Sequence, residues 1–441
     1  MYFAKQDFAF LIGEGRRIET NPPLYFLILH VWMMLFGDSA MAVRSLSLLA
    51  EAASLPVVFR IARGTGLGRG GAWLAASLYL TSAVGARYAL MARGYALWLL
   101  VLAVAVLALV EALRAAPERV WRWAALFAAA GLAALYVHDA TVIFLAAANL
   151  VFAIAWAVKW RARPLVLAGW IWPQLVMLAA GAPQVLVILA QRHSANIAWI
   201  PPSSVLGFIQ TAIEVLSGHE FPFGRVQSSA LTLSVLLLAL LVPAQAPRAQ
   251  RPLIGLALAG LALLLGADLL LGRTALWLIL PLAVIEAAAI WHFGRRWLIA
   301  AAPIIFGLNT AYCLLDYQPE PSWRDTLATV DAERRPGDVI VLLNGAPVTA
   351  FDYYRCGAGA DLYRWDVTAA DGPGTAIRAI DDRIRKLPSI DEAGLRDILR
   401  HGKTVWLLSR LRAQVEIEGE LAMDFAAVRR FAVTRIGPVG Q

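Results

Sequence analysis

The stretch IETNPPLYFLILHVWMMLFG, residues 18–37, decides how the chain meets a membrane. Two prolines open an apolar run of only about 15 residues, whereas a helix that crosses the hydrocarbon core needs about 20. Tyr25 and Trp32 are residue types that favour the boundary between membrane and water. The pattern therefore favours a helix that lies along the membrane surface, and the charges in the rest of the chain bear on this interpretation.

The composition is that of a membrane protein with a water-soluble tail. The 441 residues are 60% hydrophobic and 16% charged, whereas about 25% is charged in an ordinary soluble domain. Residues 318–441 hold 17 of the 39 Lys and Arg and 18 of the 31 Asp and Glu. The basic excess belongs to the membrane part, where it reflects cytoplasmic loops and not nucleic-acid binding.

The loops between the apolar stretches set the topology. Ten stretches are long enough to span a bilayer: 43–60, 70–86, 94–113, 121–137, 140–157, 165–190, 227–245, 253–271, 275–293 and 297–316. Thirteen Lys and Arg residues fall in five loops on one side, so those loops are cytoplasmic. Residues 1–42 then lie outside, and a crossing at 18–37 would overturn all five assignments. We therefore predict an interfacial helix on the outer face.

The same features predict three parts: an outer-face loop with the interfacial helix (1–42), a multispan membrane domain of about ten helices (43–317) and an extracytoplasmic domain (318–441). In the tail, the amphipathic helices and apolar strands are PSWRDTLATVDAERRPGD (321–338), VIVLL (339–343), DEAGLRDILRHG (391–402) and KTVWLLSR (403–410). Helices that alternate with short buried strands predict an α/β domain with a partly parallel sheet. The fold class is therefore a polytopic α-helical membrane protein with a small C-terminal α/β domain.

Polar residues collect at the outer ends of the predicted helices. The segments concerned are RRIETNPP, RYALMARGYAL, YVHD, GRTALW and the long stretch 191–225. Glu51 and Glu286 are the acids near the middle of spans, whereas an aqueous path would place polar residues through the bundle centre. This distribution favours a substrate that is anchored in lipid and carries a polar head.

Several of these stretches, in collinear order, resemble the GT-C membrane glycosyltransferases. The resemblance is to the family-39-like branch that includes the protein O-mannosyltransferases and the aminoarabinose and galacturonic-acid transferases of bacterial lipid A. It rests on TNPPLYFLILHVWMMLFGDSAMAVRSLSLLA, YALMARGYALWLL, AWIPPSS, RTALWLILP and PSWRDTLATVDAERRPGDVIVLL.

The resemblance implies a reaction, its partners and its location. Such an enzyme takes a sugar from a polyprenyl-phosphate donor and places it, with inversion, on a lipid, polysaccharide or protein hydroxyl. The reaction takes place outside the cytoplasmic (inner) membrane, among membrane lipids. The class leaves room for a divalent cation, although the sequence offers no ligand set for one.

Arginines at the outer helix ends suit the donor phosphate, because the planar guanidinium binds phosphate oxygens bidentately. We assign this role to Arg93 with Tyr95 and to Arg273. The alternative for both arginines is that they reach lipid headgroups along their aliphatic stems.

A carboxylate must take the proton of the acceptor hydroxyl, and Glu19 and Asp139 are the candidates. The alternatives are that Glu19 is only solvated and that Asp139 caps the helix after it. The candidates for binding substrate are Asn21, His138, Arg192 and His193.

The chain also departs from the family pattern. The family places an acidic pair just after its first membrane helix and well before the Pro-Pro pair, and here that pair would precede Met1. We therefore expect the first helix and the principal base to be encoded upstream. Met91 also stands where many relatives carry Glu.

Two other classes stay open: a lipid or small-molecule transporter, and a non-catalytic relative or accessory membrane subunit. A transporter would need paired polar residues at mid-bilayer and an inverted repeat, which the sequence does not show.

Overall fold

The structure is a computed structural model of the chain. It describes residues 3–5, 7–13, 21–191, 204–217, 250–269, 271–293, 296–316, 323–342, 361–365, 387–390, 392–401, 404–409 and 432–436. The chain divides into two compact units, one up to Asp316 and one from Tyr317 onward.

The first unit is helical. Its helices are α1 (Phe8–Ile12), α2 (Leu24–Phe36), α3 (Ala40–Gly64), α4 (Arg69–Leu80), α5 (Ala83–Ala89), α6 (Tyr95–Arg114), α7 (Val120–Leu135), α8 (Thr141–Lys159), α9 (Pro164–Gln191), α10 (Val205–Ser217), α11 (Arg251–Gly266), α12 (Gly272–Ala275), α13 (Ile279–Phe293) and α14 (Arg296–Asp316). Short 3₁₀ turns lie at Phe3–Lys5, Pro117–Arg119 and Leu276–Leu278.

Within the described residues, six helices are long and apolar enough to cross a membrane. They are α3, α6, α8, α9, the continuous run from α12 into α13, and α14. The α7 and α11 helices are apolar but have 16 residues each. The predicted span 227–245 lies outside the described residues. The chain is thus a multi-pass membrane protein.

The predicted span 70–86 differs from the structure, because it is broken into α4 and α5. The Thr81 hydroxyl donates to the Ser77 carbonyl at 2.7 Å, where α4 ends. The Ser82 hydroxyl then caps α5 by accepting the Gly85 N–H at 3.4 Å. Small hydroxyl residues favour such caps over helix interiors, so α5 starts as a separate short helix.

The quoted stretch forms the 13-residue helix α2. At 1.5 Å per residue it is about 20 Å long, less than the hydrocarbon core. Its first N–H, from Leu24, donates to the Tyr136 carbonyl at 2.9 Å. Near its end, the indole N–H of Trp32 donates to the Ala42 carbonyl at 2.8 Å. Both ends of α2 are therefore fastened to the bundle, and its placement at a membrane surface stays a prediction.

Tyr25 is covered by protein and does not face its surroundings. Its side chain is buried, with 3% of its surface exposed. A Cβ atom at Gly94 would lie 3.2 Å from the Tyr25 Cβ, so Tyr25 packs against the turn that precedes α6. The first turn of α2 is part of the protein core.

The bundle packs around buried aromatic residues. The α6 helix packs against α3 and α7, α9 packs against α7, and α13 packs against α4. Trp170 stacks on Phe152, with ring centroids 3.9 Å apart. A Cβ atom at Gly260 would lie 2.2 Å from the buried Trp277 ring, so glycine at this position lets α11 and the α12–α13 run approach closely.

The 28-residue helix α9 is the longest of the described helices. It contains Pro173 and Pro183. Prolines inside membrane helices are tolerated, because neighbouring groups satisfy the carbonyls that they leave free.

The second unit is an α/β domain, as predicted. Its described elements are α15 (Trp323–Glu333), β1 (Val339–Leu342), β2 (Asp361–Trp365), β3 (Ser389–Ile390), α16 (Glu392–Arg400), β4 (Val405–Ser409) and β5 (Ala432–Ile436). The sheet order is β3-β2-β1-β4-β5. Neighbours from β3 to β4 are parallel, and β5 pairs antiparallel with β4. The four residues of β1 are buried, which suits the centre of a mostly parallel sheet.

Candidate functional site

Polar side chains from distant parts of the sequence gather at one end of the bundle. A hydrogen bond between the ends of two helices marks each end of the bundle. At the first end, the Thr310 hydroxyl near the end of α14 donates to the Thr81 carbonyl at 2.6 Å. At the second end, the ammonium group of Lys159 donates to the Leu113 carbonyl at 2.9 Å. At the first end, α5 contacts α10 and α10 contacts α12.

A buried ion pair joins α5 to α10. The Arg87 guanidinium donates to a Glu214 carboxylate oxygen at 2.5 Å, across 127 positions of sequence. Only 9% of the Arg87 side chain and 18% of the Glu214 side chain are exposed. A short distance and low exposure make the interaction strong, because little water screens the two charges.

The Glu214 carboxylate also lies against the backbone of Gly272. A Cβ atom at that glycine would stand 2.0 Å from the nearest carboxylate oxygen. Since no side chain fits there without displacing the carboxylate, glycine is what lets α10 dock on α12. The residue after this contact is Arg273.

Four aromatic rings line the neighbouring ends of α5, α6 and α7. The Tyr88 and Tyr95 rings meet edge to face with centroids 4.6 Å apart. The His138 ring lies 5.7 Å from Tyr95 and stacks on Trp98 at 4.3 Å. The Trp98 indole N–H donates to the Thr141 hydroxyl at 2.8 Å. The His138 ring therefore rests on a fixed platform.

The hydrogen bonding of His138 defines its state. The Ala140 N–H donates to the His138 Nδ1 at 3.1 Å, which requires a lone pair on that nitrogen. Burial, and then the positive charge of Arg273, lower the pKa of His138 to about 3. The ring is thus a neutral imidazole that carries its proton on Nε2, and Arg273 is its electrostatic neighbour.

The Asp139 side chain contacts α9. Its carboxylate accepts a hydrogen bond from the Gln184 amide of α9 at 3.0 Å. Burial raises the pKa of Asp139 to about 7, and the bond to Gln184 offsets only part of that rise. The N-cap residue of α8 is Ala140, and the helix has no side-chain cap hydrogen bond, so the alternative role of Asp139 as a helix cap is wrong.

Arg93 lies in the turn between α5 and α6, at a junction beside the aromatic rings. Its side chain is exposed. Burial raises the pKa of Tyr25 to about 12, and the charge of Arg93 is close enough to counter part of that rise. The Ser47 hydroxyl donates to the Met91 carbonyl at 3.0 Å and so fixes the turn to α3. Asn21 is half-buried just before α2.

The structure brings together three of the residues proposed from the sequence, namely Tyr95, His138 and Arg273. Arg93, Asn21 and Asp139 lie in neighbouring turns with their own contacts. The candidates outside the described residues are Glu19, Arg192 and His193.

Sequence reasoning missed Arg87, Tyr88 and Glu214. Burial, and then the charge of Glu214, raise the pKa of Tyr88 well above its usual range. The signal for Glu214 was its place as the lone acid in the apolar stretch FIQTAIEVL. No sequence pattern shows that its partner would be Arg87.

Within the described part of the chain, no three His, Cys, Asp or Glu side chains gather into a metal-binding group.

The chain is similar to known proteins in sequence over part of its length and in fold over most of it. Residues 20–185 match the family model described as dolichyl-phosphate-mannose-protein mannosyltransferase. ArnT from Cupriavidus metallidurans bound to undecaprenyl phosphate is 15% identical with a TM-score of 0.62, over 98% of this chain and 92% of that chain. The apo state of the same ArnT is 12% identical with a TM-score of 0.60 over the same shares.

A weaker likeness is to the arabinofuranosyltransferase AftD from Mycobacteria. It is 20% identical with a TM-score of 0.46, over 77% of this chain and 29% of that chain. No curated protein sequence is significantly similar to the chain. The family match covers residues 20–185, and the likeness to ArnT shows that the chain has the fold of that protein over almost its whole length.

Proposed function

We propose that the protein transfers a sugar from a polyprenyl-phosphate donor to a hydroxyl group, with inversion, at the outer face of the cytoplasmic membrane. The observation that carries the proposal is the cluster of Arg273, His138 and Tyr95 at one end of the helix bundle. A lipid-anchored donor keeps its tail in the bilayer, so its phosphate lies near the membrane surface, where the end of the bundle can bind it.

The cluster matches the charge that develops on the leaving group. The acceptor oxygen forms a bond to the anomeric carbon while the bond from that carbon to the phosphate oxygen breaks. The electron pair goes to polyprenyl phosphate, which leaves with an added negative charge. Arg273 supplies positive charge, and the neutral His138 supplies an Nε2–H donor that does not need to change protonation state.

Arg93 adds a second positive charge at the edge of the cluster. It is exposed, and it lies in the turn that packs against α2. We assign it to the approach of the donor phosphate. The α2 helix, whose Met34, Leu35 and Phe36 are exposed, is the ledge along which the isoprenoid tail runs.

A carboxylate takes the proton of the acceptor hydroxyl. A base works best when its pKa is near the working pH, and the pKa of Asp139 is about 7. Asp139 is one residue from His138, and it is our candidate for this role among the described residues. Glu19 stays a second candidate. Asn21, Arg192 and His193 are proposed to bind the sugar or the acceptor.

The relatives support the class of donor. The ArnT structure contains undecaprenyl phosphate, and the matching family is described by a dolichyl-phosphate sugar. Both are polyprenyl phosphates. The sugar and the acceptor differ between these relatives, so the first experiment addresses the lipid phosphate alone.

Undecaprenyl phosphate should raise the midpoint of thermal unfolding of the detergent-purified full chain, because a ligand that binds the folded state stabilises it. Arg273→Gln should remove most of this shift. Arg119→Gln, an exposed arginine at the other end of the bundle, should leave it unchanged. Equal shifts in all three proteins would show that the lipid binds elsewhere.

Turnover is tested with the protein in liposomes and a panel of undecaprenyl-phosphate sugars, namely a hexose, a uronic acid and an aminopentose. Release of free undecaprenyl phosphate together with sugar transfer to an added hydroxyl acceptor is the expected result. Movement of the intact donor across the bilayer without cleavage would support the transporter alternative instead.

A further inference from the structure

We propose that the Arg87–Glu214 ion pair is a positioning device for Arg273. It fastens α10 onto the turn that carries this arginine and so sets the geometry of the phosphate site. The inference rests on the proposed function, in which Arg273 binds the donor phosphate. Arg87 and Glu214 act through Arg273 and do not themselves touch the donor.

The face that α10 presents to the bundle directs Glu214 inward. Thr211 and Val215 are each 6% exposed, and Phe208 packs against the hydrophobic core. Leu206, on the opposite side of the helix, is 53% exposed. Because positions three and four apart share a helix face, the buried face delivers the Glu214 carboxylate to the end of the bundle.

The carboxylate reaches two partners that are distant in sequence. One oxygen accepts from Arg87 at 2.5 Å, and the group as a whole fills the space beside Gly272 where a Cβ atom would stand. A single carboxylate thereby holds α5 and the start of α12 together. Removing the charge of Arg87 would break the link between α5 and this carboxylate.

The backbone on the other side of Arg273 is also fixed. The Leu271 N–H donates to the Thr274 hydroxyl at 3.1 Å, and that hydroxyl donates to the Leu269 carbonyl. Arg273 therefore lies between Gly272, which the Glu214 carboxylate covers, and Thr274, whose hydroxyl closes the turn. The side chain starts from a rigid backbone, which is what a site for a phosphate needs, since small displacements of a binding group cost much of its effect.

The pair also leaves the local charge balanced. A buried carboxylate next to a phosphate site would repel the donor, whereas one that is paired with Arg87 adds no net charge. The need for a neutral surrounding explains why Glu214 of α10 is paired with a buried arginine and is not solvated.

The experiment measures the KM for the undecaprenyl-phosphate sugar donor, the kcat and the dissociation constant for undecaprenyl phosphate. Arg87→Gln and Glu214→Gln should each raise KM and Kd by about tenfold and lower kcat less, the equivalent of a small loss of positioning. The double reversal Arg87→Glu with Glu214→Arg should recover much of the loss that either reversal causes alone. A double reversal as impaired as the single ones, in folded protein, would overturn the proposal.

Gly272→Ala provides a test that removes no charge. The new methyl group must displace the Glu214 carboxylate, so the variant should show the same rise in KM and Kd as Glu214→Gln. Gly266→Ala is the matched control, because a Cβ atom at Gly266 meets nothing within 4 Å. Unchanged KM and Kd in Gly272→Ala would also overturn the proposal, and this variant decides the matter if the charge variants fail to fold.

Arg273→Gln separates this inference from the function on which it rests. If the wild-type protein does not bind undecaprenyl phosphate, the proposed function fails. If the wild type binds and Arg273→Gln does not, while the Arg87, Glu214 and Gly272 variants bind like the wild type, only the positioning role fails. Thermal unfolding of each variant without lipid shows that binding is measured on folded protein.

Discussion

The two ends of the helix bundle hold the same kinds of charged residue in opposite ways. At one end, every described Lys and Arg of the five basic loops is exposed to solvent: Arg60, Arg63, Arg69, Arg114, Arg119, Arg122, Lys159, Arg161, Arg163, Arg251 and Arg296. At the other end Arg93 is exposed as well, but Arg87 and Glu214 are paired with little exposure. His138 and Asp139 are there half-buried with shifted pKa values.

This difference separates two uses of charge. Exposed arginines in short loops need no specific partner, and their sum decides which way the chain inserts. A charge that is taken out of water must be paired or must change its pKa, so each one constrains its surroundings. A buried ion pair, and not a large number of exposed charges, marks the end of the bundle where chemistry is expected.

The largest expected effect compares two tryptophans from opposite ends. Trp98 is fully buried, carries the His138 ring and donates to Thr141, so Trp98→Ala should lower the free energy of unfolding by about 3–5 kcal/mol. Trp121, at the start of α7, is 53% exposed, and Trp121→Ala should cost less than about 1 kcal/mol. Thermal unfolding in detergent measures both, and equal losses would abolish the distinction between the ends.

The next effect compares two arginines. Arg87→Ala removes the guanidinium that faces the Glu214 carboxylate at low exposure, and breaking a buried ion pair costs about 3–5 kcal/mol. Arg119→Ala removes an exposed charge and should change the free energy of unfolding by about 0.5 kcal/mol or less. Urea titration of the two variants gives the comparison, and a loss at Arg119 as large as at Arg87 would contradict it.

A smaller effect depends on pH. The pKa of Asp139 is about 7 when folded and about 3.9 when unfolded. Between these values the folded state holds the proton that the unfolded state has lost, so the contribution of Asp139 to stability falls as pH rises from about 4 to 7. Asp139→Asn, which cannot ionise, should therefore gain in unfolding midpoint relative to the wild type over that interval.

The neighbour of Asp139 has the opposite sign, so the two variants control each other. The pKa of His138 is about 3 when folded, and the unfolded side chain binds a proton below about 6.5. Its contribution to stability is lost as pH falls from about 6.5 to 3. His138→Gln should flatten that slope and leave the Asp139 slope in place, with Gln184 unchanged in both variants. Parallel pH profiles for all three proteins would disprove both assignments.

The smallest effect shows that burial, and not distance, makes the difference. The Lys5 ammonium lies 2.6 Å from the Asp38 carboxylate, nearly as close as the 2.5 Å of the Arg87–Glu214 pair, but the side chains are 40% and 58% exposed. Exposed ion pairs contribute about 0–1 kcal/mol. Lys5→Ala should therefore hardly move the unfolding midpoint, at low or high salt, and a loss comparable to that of Arg87→Ala would refute the argument.

Local pattern was enough to predict the classes of structure. The short apolar run of residues 18–37 gave a helix too short to cross, and the periodicity of the tail gave α15, β1, α16 and β4 near their observed positions. Each of these elements depends on residues close in sequence. The break between α4 and α5 was not predicted, because Thr81 and Ser82 are tolerated inside membrane helices as well as at helix caps.

The candidate site was predictable only in its positions along the chain, and not in its contacts. Tyr95, His138 and Arg273 stood out as polar residues at helix ends. The partnership of Arg87 with Glu214 joins segments 127 residues apart, and no local pattern encodes it. The neutral state of His138 likewise depends on the Ala140 N–H and on burial, which appear only when the chain is folded.

The length of α9 gives the site a relation to the bilayer itself. Gln184, which donates to Asp139, lies about 30 Å along the helix from Pro164 at 1.5 Å per residue, and this is close to the thickness of a typical hydrocarbon core. We therefore expect α9 to place Asp139 near the far boundary of the acyl region. In a thinner or thicker membrane α9 must tilt or the lipids must adapt. The chain length of the surrounding lipids should then change the hydration of Asp139. It should thereby change the pH at which this carboxylate ionises.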